Sequence, residues 1–483
     1  MMSSLICLSF RRLCVRNVRN SIQYLLVICL SIILIGCHES KNNKSQYHKV
    51  IVIGAGMSGL EAASVLAANN IDVAIVEARN RIGGRLQTTT MDGAYTDLGG
   101  SWVHDVDNNV LANIANNLGV PLIPTPFTSA AIYDQGALVD PADITEIMTY
   151  APDLLQSLLA QQYVSCGAFN GAISCFINAN IPPSPAIPYV TYAYNLMYAG
   201  WFADNTNFIS SVVGPSLLNL GHDALPSIGY TNFINQIFNI SALNINLNTI
   251  VTSIDYTNTN DVVISTNNGT YHAKYVIVTV PIGVLKANTI NFVPSLPQDK
   301  QLAIQHIGVG SFNKIYLQFD TIFWDNTITL FLPYTANPAV NYYTIFNYAE
   351  FVNKPILLAF YVGDFSRALE TQTDATIISS IMQQIRLIYP TAPDPVSYQI
   401  TRWGLDPFAY GAYSYPTTQT TVQDYQNLTT PVQNTLFFAG EAVNAVTIGA
   451  VNSPTVNKSG TADAAYLSGQ NAANKILQIL KGS

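Results

Sequence analysis

Three glycines and one carboxylate near the start of the chain have the types and spacing of a nucleotide-binding site. Gly54, Gly56 and Gly59 follow a β-branched run, and Glu77 stands further along the chain. In such a pattern the first glycine allows a tight turn, the second lets a pyrophosphate approach the backbone, and the third lets a helix pack against a strand. The acidic residue accepts hydrogen bonds from ribose hydroxyls. These four residues predict that the chain binds a dinucleotide.

A strand, a helix and a second strand must surround these residues for the site to form. Residues 49–53 read as a buried parallel strand, residues 60–67 supply the apolar face of a helix, and residues 73–76 read as the next strand. In this order of elements the amides at the start of the helix hold the phosphates. A flexible glycine-rich loop is the alternative, and the ordered succession of strand, helix, strand and acid disfavours it.

Lys314 is a second candidate for chemistry because its neighbours are apolar. Phe312, Ile315 and Tyr316 flank it. An ammonium group buried there without a partner would be costly, and burial would lower its pKa towards a role in proton handling. The alternative is a lysine at a strand end that extends its amino group to water. The local sequence alone favours this alternative.

The composition is that of a folded protein that does not bind nucleic acid. Of the 483 residues, 49% are hydrophobic and 10% are charged, which supplies apolar surface for a large core. The length exceeds that of one usual core, so we expect two domains. The formal net charge is −8, and without the first 36 residues, which contain four arginines and no acids, 17 basic residues stand against 29 acidic ones, a balance of −12. A chain of this charge repels nucleic acid and mildly attracts cations, and a charge that serves only solubility is the alternative.

The first 36 residues have the pattern of an export signal. Their basic part contains Arg11, Arg12, Arg16 and Arg19. The apolar run at residues 24–35 is shorter than a membrane span, which needs about 20 residues. It is followed by a Gly36-Cys37 pair that resembles a bacterial lipoprotein cleavage box. We therefore predict a lipoprotein signal peptide at residues 1–36, a lipid anchor at Cys37, and a location in the bacterial periplasm or at the outer membrane or cell surface. An uncleaved N-terminal anchor is the alternative.

Two of the six cysteines, Cys166 and Cys175, lie outside the leader and its box. In an oxidising compartment they could close a short disulfide loop, and two unrelated buried thiols are the alternative. Neither a CxxC pair nor a histidine-rich spacing is present, so no metal site is predicted.

Segments spread along nearly the whole chain resemble the flavin-containing amine oxidase family, which includes polyamine, spermine and monoamine oxidases and lysine-specific demethylases. The matching segments are residues 77–88, 97–104, 247–254, 279–286, 307–315, 402–415, 436–441 and 459–469. The resemblance implies an α/β fold in which a Rossmann-like FAD-binding domain is interleaved with an α+β substrate-binding domain. The FAD-binding domain would comprise residues 46–130, 230–300 and 400–483, and the substrate-binding domain residues 131–229 and 301–399.

The resemblance also implies a non-covalently bound FAD and the residues that hold it. These are Gly54, Gly56, Gly59, Glu77, Arg79, Gly84, Arg85, Gly100, Ser101, Trp102, Val251, Trp403, Gly440, Glu441, Thr461 and Ala462. In the family, the residue matching Arg85 lies by the pyrophosphate, and the one matching Val251, on a strand read at residues 247–254, contacts the adenine. Ala412 stands where monoamine oxidases carry the cysteine that bonds to the flavin, so no covalent link is expected.

Four residues are expected by resemblance at the reacting end of the site. Lys314 matches the lysine that holds a water against the flavin, and Tyr413 matches one wall of an aromatic cage. Thr461, near the start of a predicted helix, stands where monoamine oxidases have the second cage tyrosine. His104 matches a histidine of spermine oxidases that could orient an amino group, and a structural histidine is the alternative.

The reaction implied is oxidation of a polyamine or monoamine to an imine, which water hydrolyses to an aldehyde. Molecular oxygen would be the electron acceptor, and hydrogen peroxide would be released. An L-amino-acid oxidase is one alternative, but residues 101–104 offer no arginine to hold a substrate carboxylate. Two further alternatives are another FAD-dependent oxidoreductase and a surface module that binds flavin without turnover.

Overall fold

The computed structural model describes residues 46–125, 129–214, 221–334, 343–443 and 459–482. The described parts of residues 46–267 and 271–483 form one compact unit. The predicted signal peptide and Cys37 lie outside the described residues. Within those residues, we find no helix with both the length and the apolar character that crossing a bilayer requires.

The strands and helices are named here in chain order. The strands are β1 (Gln46–Ile53), β2 (Val73–Val76), β3 (Thr88–Met91), β4 (Ala94–Asp97), β5 (Leu122–Pro124), β6 (Ala130–Asp134), β7 (Ala137–Leu138), β8 (Ala224–Pro226), β9 (Asn244–Asn246), β10 (Val251–Asp255), β11 (Val262–Thr266), β12 (Gly269–Val278), β13 (Asn291–Val293), β14 (Ile307–Val309), β15 (Phe312–Gln318), β16 (Leu330–Tyr334), β17 (Tyr343–Phe346), β18 (Ile356–Val362), β19 (Ser397–Ile400), β20 (Ser414–Pro416) and β21 (Leu436–Phe438). The helices are α1 (Met57–Ala68), α2 (Val110–Leu118), α3 (Pro141–Met148), α4 (Ala151–Leu159), α5 (Phe169–Asn180), α6 (Ile187–Phe202), α7 (Gly229–Ile237), α8 (Ile282–Lys286), α9 (Gln298–His306), α10 (Ala349–Val352), α11 (Gly363–Glu370), α12 (Asp374–Ile388), α13 (Val422–Thr429) and α14 (Ala462–Gly482).

The first large sheet contains the strand that leads into the glycine-rich turn. Its order is β13-β10-β11-β12-β1-β2-β9, with β21 also beside β12. Strands β21, β12, β1, β2 and β9 run parallel. Val50, Ile51 and Val52 of β1 are fully buried, which accounts for the unbroken apolar run in the sequence. Helix α1 follows β1 directly and β2 comes next, so the predicted strand, helix and strand are confirmed.

The second large sheet has the order β19-β15-β18-β17-β16-β6-β7. Its pairs are mostly antiparallel, and β16 pairs parallel with β6. The strands of the first sheet fall in the segments predicted for FAD binding. Those of the second fall in the segments predicted for substrate binding, apart from the end residues Ala130 and Ile400. The division into two domains stays a prediction.

Helices α3 to α6 supply most of the segment between β7 and β8. Phe169 of α5 packs its ring 4.6 Å from that of Tyr198 on α6 and is fully buried. A disulfide joins Cys166, just before α5, to Cys175 within it. The disulfide is therefore present, and the alternative of two separate thiols is wrong.

The strand read at residues 247–254 begins later than the sequence pattern predicts. Strand β10 starts at Val251, and Asn248 has a φ of 54°, in the left-handed region. The N–H of Asn248 donates to the carbonyl of Arg79, and that of Thr249 donates to the carbonyl of Glu77, at 2.9 and 2.8 Å. Residues 247–250 thus form a turn that supports the end of β2, because this tertiary contact outweighs the local strand preference.

Candidate active site

A cavity of about 1640 Å³ opens at the carboxyl ends of β1 and β2. Ligands in parallel α/β sheets bind at this edge of the strands. All the residues predicted for cofactor binding and catalysis line this cavity except Gly59. The fold therefore brings together side chains that are separated by up to several hundred positions in the sequence.

The glycine-rich turn has the geometry that a bound pyrophosphate needs. Gly54 has a φ of 106°, as a tight turn requires. A Cβ atom added to Gly59 would lie 1.9 Å from the carbonyl oxygen of Gly54, so Gly59 serves the packing of α1 against the turn. A Cβ added to Gly56 would meet no atom within 4 Å. A side chain there would project into open space, where the pyrophosphate is expected.

Glu77 lies at the end of β2 and is buried to 6% exposure. One carboxylate oxygen accepts from the N–H of Ala55 at 2.6 Å, and the other accepts from the N–H of Arg79 at 2.7 Å. The carboxylate therefore braces the glycine-rich turn while it lines the cavity. The guanidinium of Arg79 donates two 2.8 Å hydrogen bonds to Asp406, an acceptor that the sequence did not indicate.

Glu441 connects three segments around the cavity. Its Oε1 accepts from Nη1 of Arg85 at 2.9 Å, and its Oε2 accepts from the hydroxyl of Ser414 at 2.5 Å and from the N–H of Gly460 at 3.0 Å. Arg85 also donates to the carbonyl of Ala412 at 2.8 Å. The charge of Arg85 is thus partly compensated by Glu441, and the side chain is held in place next to the cavity.

The start of helix α14 lies at the cavity, as predicted. The helix begins at Ala462, and the hydroxyl of Thr461 accepts from the N–H of Ala464 at 3.3 Å. Both Thr461 and Ala462 line the cavity. The positive end of the helix dipole therefore lies beside the space predicted for the cofactor, where it favours negative charge.

Lys314 lies in the middle of β15 and is 3% exposed. Its Nζ donates to the carbonyls of Asp97 and Gly99, at 2.9 and 2.6 Å, and to the hydroxyl of Ser101. Burial lowers the pKa of Lys314 to about 7, and the negative charge of Asp97 opposes this shift. Burial also raises the pKa of Asp97 to about 6. The alternative of a lysine that extends to water is therefore wrong.

The backbone of Lys314 is fixed by residues that the sequence did not indicate. Its N–H donates to the hydroxyl of Thr401 at 2.8 Å, and that hydroxyl donates to Oδ1 of Asn313 at 3.0 Å. The same amide oxygen accepts from the N–H of Trp403 at 2.9 Å. The indole of Trp403 donates to the carbonyl of Leu98 at 3.0 Å. One buried network therefore positions both Lys314 and Trp403.

Tyr413 is held between a helix and the sheet. Its hydroxyl donates to the carbonyl of Gly200 on α6, and its ring lies 6.0 Å from that of Phe312. Burial raises its pKa well above the usual range, so the phenol is neutral. The ring is fixed as one wall of the cavity.

His104 lies opposite an acidic residue that the sequence did not indicate. Its Nδ1 is 3.0 Å from Oδ2 of Asp223, and its ring lies 5.4 Å from that of Trp201. All three residues line the cavity. Asp223 and Trp201 come from the segment at 131–229, which resembles the family only weakly apart from Gly229-Tyr230, so neither residue was predicted.

The comparisons with known proteins agree with the predicted family. A family model described as flavin containing amine oxidoreductase matches residues 57–174 and 193–477. The chain is similar to probable polyamine oxidase 4 of Arabidopsis thaliana, at 34% identity over 88% of this chain and 86% of that protein. It is 31% identical to polyamine oxidase 4 of Oryza sativa subsp. japonica, over 88% of each chain. Lysine-specific histone demethylase 1 homolog 1 of Arabidopsis thaliana is 30% identical over 89% of this chain and 52% of its own length.

A solved structure supports the fold. A double mutant of putrescine oxidase, redesigned in its cofactor binding, superposes with a TM-score of 0.72 at 20% sequence identity. The match covers 90% of this chain and 100% of that chain. The α/β amine oxidase fold predicted from the sequence is therefore confirmed.

The predicted location is wrong. The similar polyamine oxidases are plant proteins rather than bacterial lipoproteins. This finding overturns the prediction of a lipoprotein in the bacterial periplasm or at the outer membrane or cell surface. The prediction depended on an apolar run followed by Gly36-Cys37. A pattern this short arises easily after an apolar run, so it carries too little information to assign a location.

The cavity suits the cofactor of this family. The open space at Gly56 admits a pyrophosphate, the start of α14 favours negative charge, and the methyl side chain of Ala412 offers no thiol for a covalent bond. The family match and these features agree on one cofactor. The chain therefore belongs to the family of flavin-containing amine oxidases, and it binds FAD non-covalently.

Proposed function

We propose that this chain oxidises a polyamine or a monoamine to an imine and then an aldehyde, with molecular oxygen as the electron acceptor and release of hydrogen peroxide. The observation that carries the proposal is that Lys314, Tyr413 and His104 line the same cavity as the nucleotide-binding turn. Bound flavin supplies the hydride acceptor for such a reaction. The protein then has to hold the amine, exclude water and manage protons.

Polyamines are favoured over peptide substrates by the extent of similarity. The chain spans most of the polyamine oxidases that it resembles, but only about half of the demethylase homologue. An alkyl amine also suits the walls of the cavity, where Trp102, Phe312 and Phe360 contribute aromatic surface.

We propose that the predicted site residues act in two groups. Around the nucleotide, Glu77 accepts hydrogen bonds from the ribose hydroxyls, while Arg85 and the start of α14 stabilise negative charge. At the reacting end, Tyr413 and Thr461 border the substrate. We propose that the other predicted cofactor-binding residues that line the cavity also contact FAD. The FAD-binding and substrate-binding domains would each contribute one large sheet to this arrangement.

Lys314 is proposed to move or hold a proton at its Nζ atom. A lysine whose pKa is lowered to about 7 exchanges its proton near neutral pH. The two carbonyls accept from Nζ in either charge state, while the hydroxyl of Ser101 accepts from the ammonium or donates to the neutral amine, so Nζ keeps one position. Such a group can support proton movements while the cofactor is reduced and reoxidised.

The proposal is tested with the FAD-loaded protein and a panel of amines in air. Spermine, spermidine, putrescine, a benzylic monoamine, an N-methyl-lysine peptide and L-amino acids are each mixed with the enzyme, and oxygen uptake and hydrogen peroxide are measured together. We expect one peroxide per oxygen consumed, with a polyamine as the fastest substrate. Turnover of L-amino acids alone, or oxygen uptake without peroxide, would contradict the proposal.

A further inference from the structure

We propose that Asp223 positions His104 so that Nε2 of the imidazole accepts a hydrogen bond, and then a proton, from the substrate nitrogen. Asp223 is thus a positioning residue, while His104 contacts the substrate. The inference rests on the proposed function, because it requires an amine in the cavity.

The backbone places the two side chains opposite each other. Val103 and Ala224 form an antiparallel bridge, with hydrogen bonds of 2.8 and 3.1 Å between their amides and carbonyls. His104 follows Val103 and Asp223 precedes Ala224, so the register makes them cross-strand neighbours. The N–H and the hydroxyl of Thr125 both donate to the carbonyl of Asp223, at 2.9 and 3.1 Å. The carboxylate is therefore carried on a fixed backbone.

The imidazole has one enclosed nitrogen and one accessible edge. Nδ1 is buried and lies 3.0 Å from Oδ2 of Asp223, without the alignment of a hydrogen bond, and it has no hydrogen-bond partner among the described residues. The side chain of His104 as a whole is 26% exposed and lines the cavity. Nε2 is not enclosed in the way that Nδ1 is, so it is the ring nitrogen that a substrate in the cavity can reach. Asp223 itself is only 12% exposed, so solvent screens the pair weakly.

A carboxylate beside Nδ1 selects the tautomer of a neutral imidazole. The proton stays on Nδ1, facing the carboxylate, and Nε2 keeps its lone pair. An amine N–H can then donate to Nε2 while the lone pair of the amine nitrogen remains available for oxidation. The opposite tautomer would donate its Nε2 proton to that lone pair and oppose the reaction.

The same arrangement can deprotonate an ammonium substrate. The N–H bond of the substrate breaks, its electron pair stays on the amine nitrogen, and the proton forms a new bond to Nε2 of His104. The resulting imidazolium lies against the carboxylate of Asp223, which stabilises its positive charge. The products of this step are a neutral amine and a compensated ion pair.

A neighbouring histidine and acid differ in a way that supports this assignment. His222 and Asp107 also lie 3.2 Å apart and line the cavity, but their side chains are 85% and 68% exposed. Solvent screens such an exposed pair and leaves the imidazole free to reorient. The exposed pair is aligned as a hydrogen bond, but only the pair of His104 and Asp223 is shielded from solvent by the surrounding protein.

The tautomer is measured directly by NMR on the FAD-loaded protein with ¹⁵N-labelled histidine. The His104 signals are assigned through a His104→Gln variant. We expect His104 to carry its proton on Nδ1, to lose this preference in Asp223→Asn, and to keep it in Asp223→Glu, which retains a carboxylate. Asp261→Asn is the matched control, since Asp261 lies 2.9 Å from Nδ1 of His272 outside the cavity. An Nε2 proton on His104 in the unmodified protein, or an unchanged tautomer in Asp223→Asn, overturns the proposal.

Reduction of the flavin by an amine without oxygen tests the consequence for substrate. We expect His104→Gln and Asp223→Asn each to slow reduction by roughly 10²-fold, the lower end of the range for acid–base catalysis. The double variant should be no slower than either single variant, because the two residues act as one unit. If an amine reduces the flavin of Asp223→Asn as fast as that of the unmodified enzyme, Asp223 has no positioning role and the proposed function stands. If no amine reduces the unmodified enzyme, both proposals are wrong.

Discussion

At the scale of single residues, Lys314 shows how burial changes the chemistry of a side chain. Its amino group is enclosed by two backbone carbonyls and one hydroxyl and is removed from water. The lysine itself was predictable from its motif. Its acceptors were not, because Asp97, Gly99 and Ser101 lie more than 200 positions away in the sequence.

Replacement of this lysine should impair catalysis more than folding. We expect Lys314→Met to slow a flavin half-reaction, either reduction by amine or reoxidation, by roughly 10²-fold. Lys300→Met is the matched control, since Lys300 is also buried and donates to backbone carbonyls, those of Asn427 and Leu428, but does not line the cavity. Stopped-flow absorbance of the flavin resolves the two half-reactions. Equal rates in Lys314→Met and the unmodified enzyme would show that the lysine is not catalytic.

The pKa of Lys314 also predicts how stability depends on pH. Burial lowers this pKa from 10.5 to about 7, so between these pH values the unfolded chain binds more protons than the folded protein. The free energy of unfolding contributed by this group therefore rises with pH above about 7. The free energy of unfolding, measured by urea denaturation across this pH range, should rise less steeply with pH in Lys314→Met than in the unmodified protein. An identical slope in both would contradict the lowered pKa.

At the scale of elements, the sequence predicted the parts that follow local rules. The strand β1, the glycine-rich turn and helix α1 were predictable because hydrophobic period and glycine positions encode them. The start of β10 and the pairing of His104 with Asp223 were not, because each depends on a contact with a distant segment. The bridge between Val103 and Ala224 that aligns this pair has no local signature.

Two glycines of the turn should respond differently to the same substitution. Gly59→Ala would force a Cβ to within 1.9 Å of a carbonyl, so we expect the apoprotein to lose about 1–3 kcal/mol of stability or more. Gly56→Ala meets no atom within 4 Å, so the apoprotein should keep its melting temperature while its affinity for FAD falls. Thermal unfolding of the apoproteins and titration with FAD separate the two effects. Normal FAD affinity in Gly56→Ala would show that the pyrophosphate does not approach this backbone.

At the scale of the whole molecule, two sheets contribute to one cavity. The first sheet carries the nucleotide-binding turn, and the second carries Lys314 on β15. The resemblance predicted this interleaving because its motifs extend along almost the whole chain. It indicated nothing about α3 to α6, which supply Trp201 and the carbonyl that holds Tyr413.

The net charge of the molecule predicts a salt dependence. At a formal charge of −8, the protein attracts polycationic substrates over distance, and added salt screens this attraction. We expect kcat/KM for spermine to fall by about 10-fold between low and high ionic strength, at the lower end of reported steering effects. A monoamine carries less positive charge than spermine, so its kcat/KM should fall less as ionic strength rises. Equal losses for both amines would show that charge does not steer the substrate.

The most direct test of the account is the flavin spectrum of the purified, FAD-loaded protein mixed with spermidine or spermine in the absence of oxygen. The account predicts that the yellow oxidised spectrum bleaches within one turnover and that acid denaturation then releases free FAD. A protein that cannot be loaded with flavin, or a bound flavin that no amine bleaches, would contradict it.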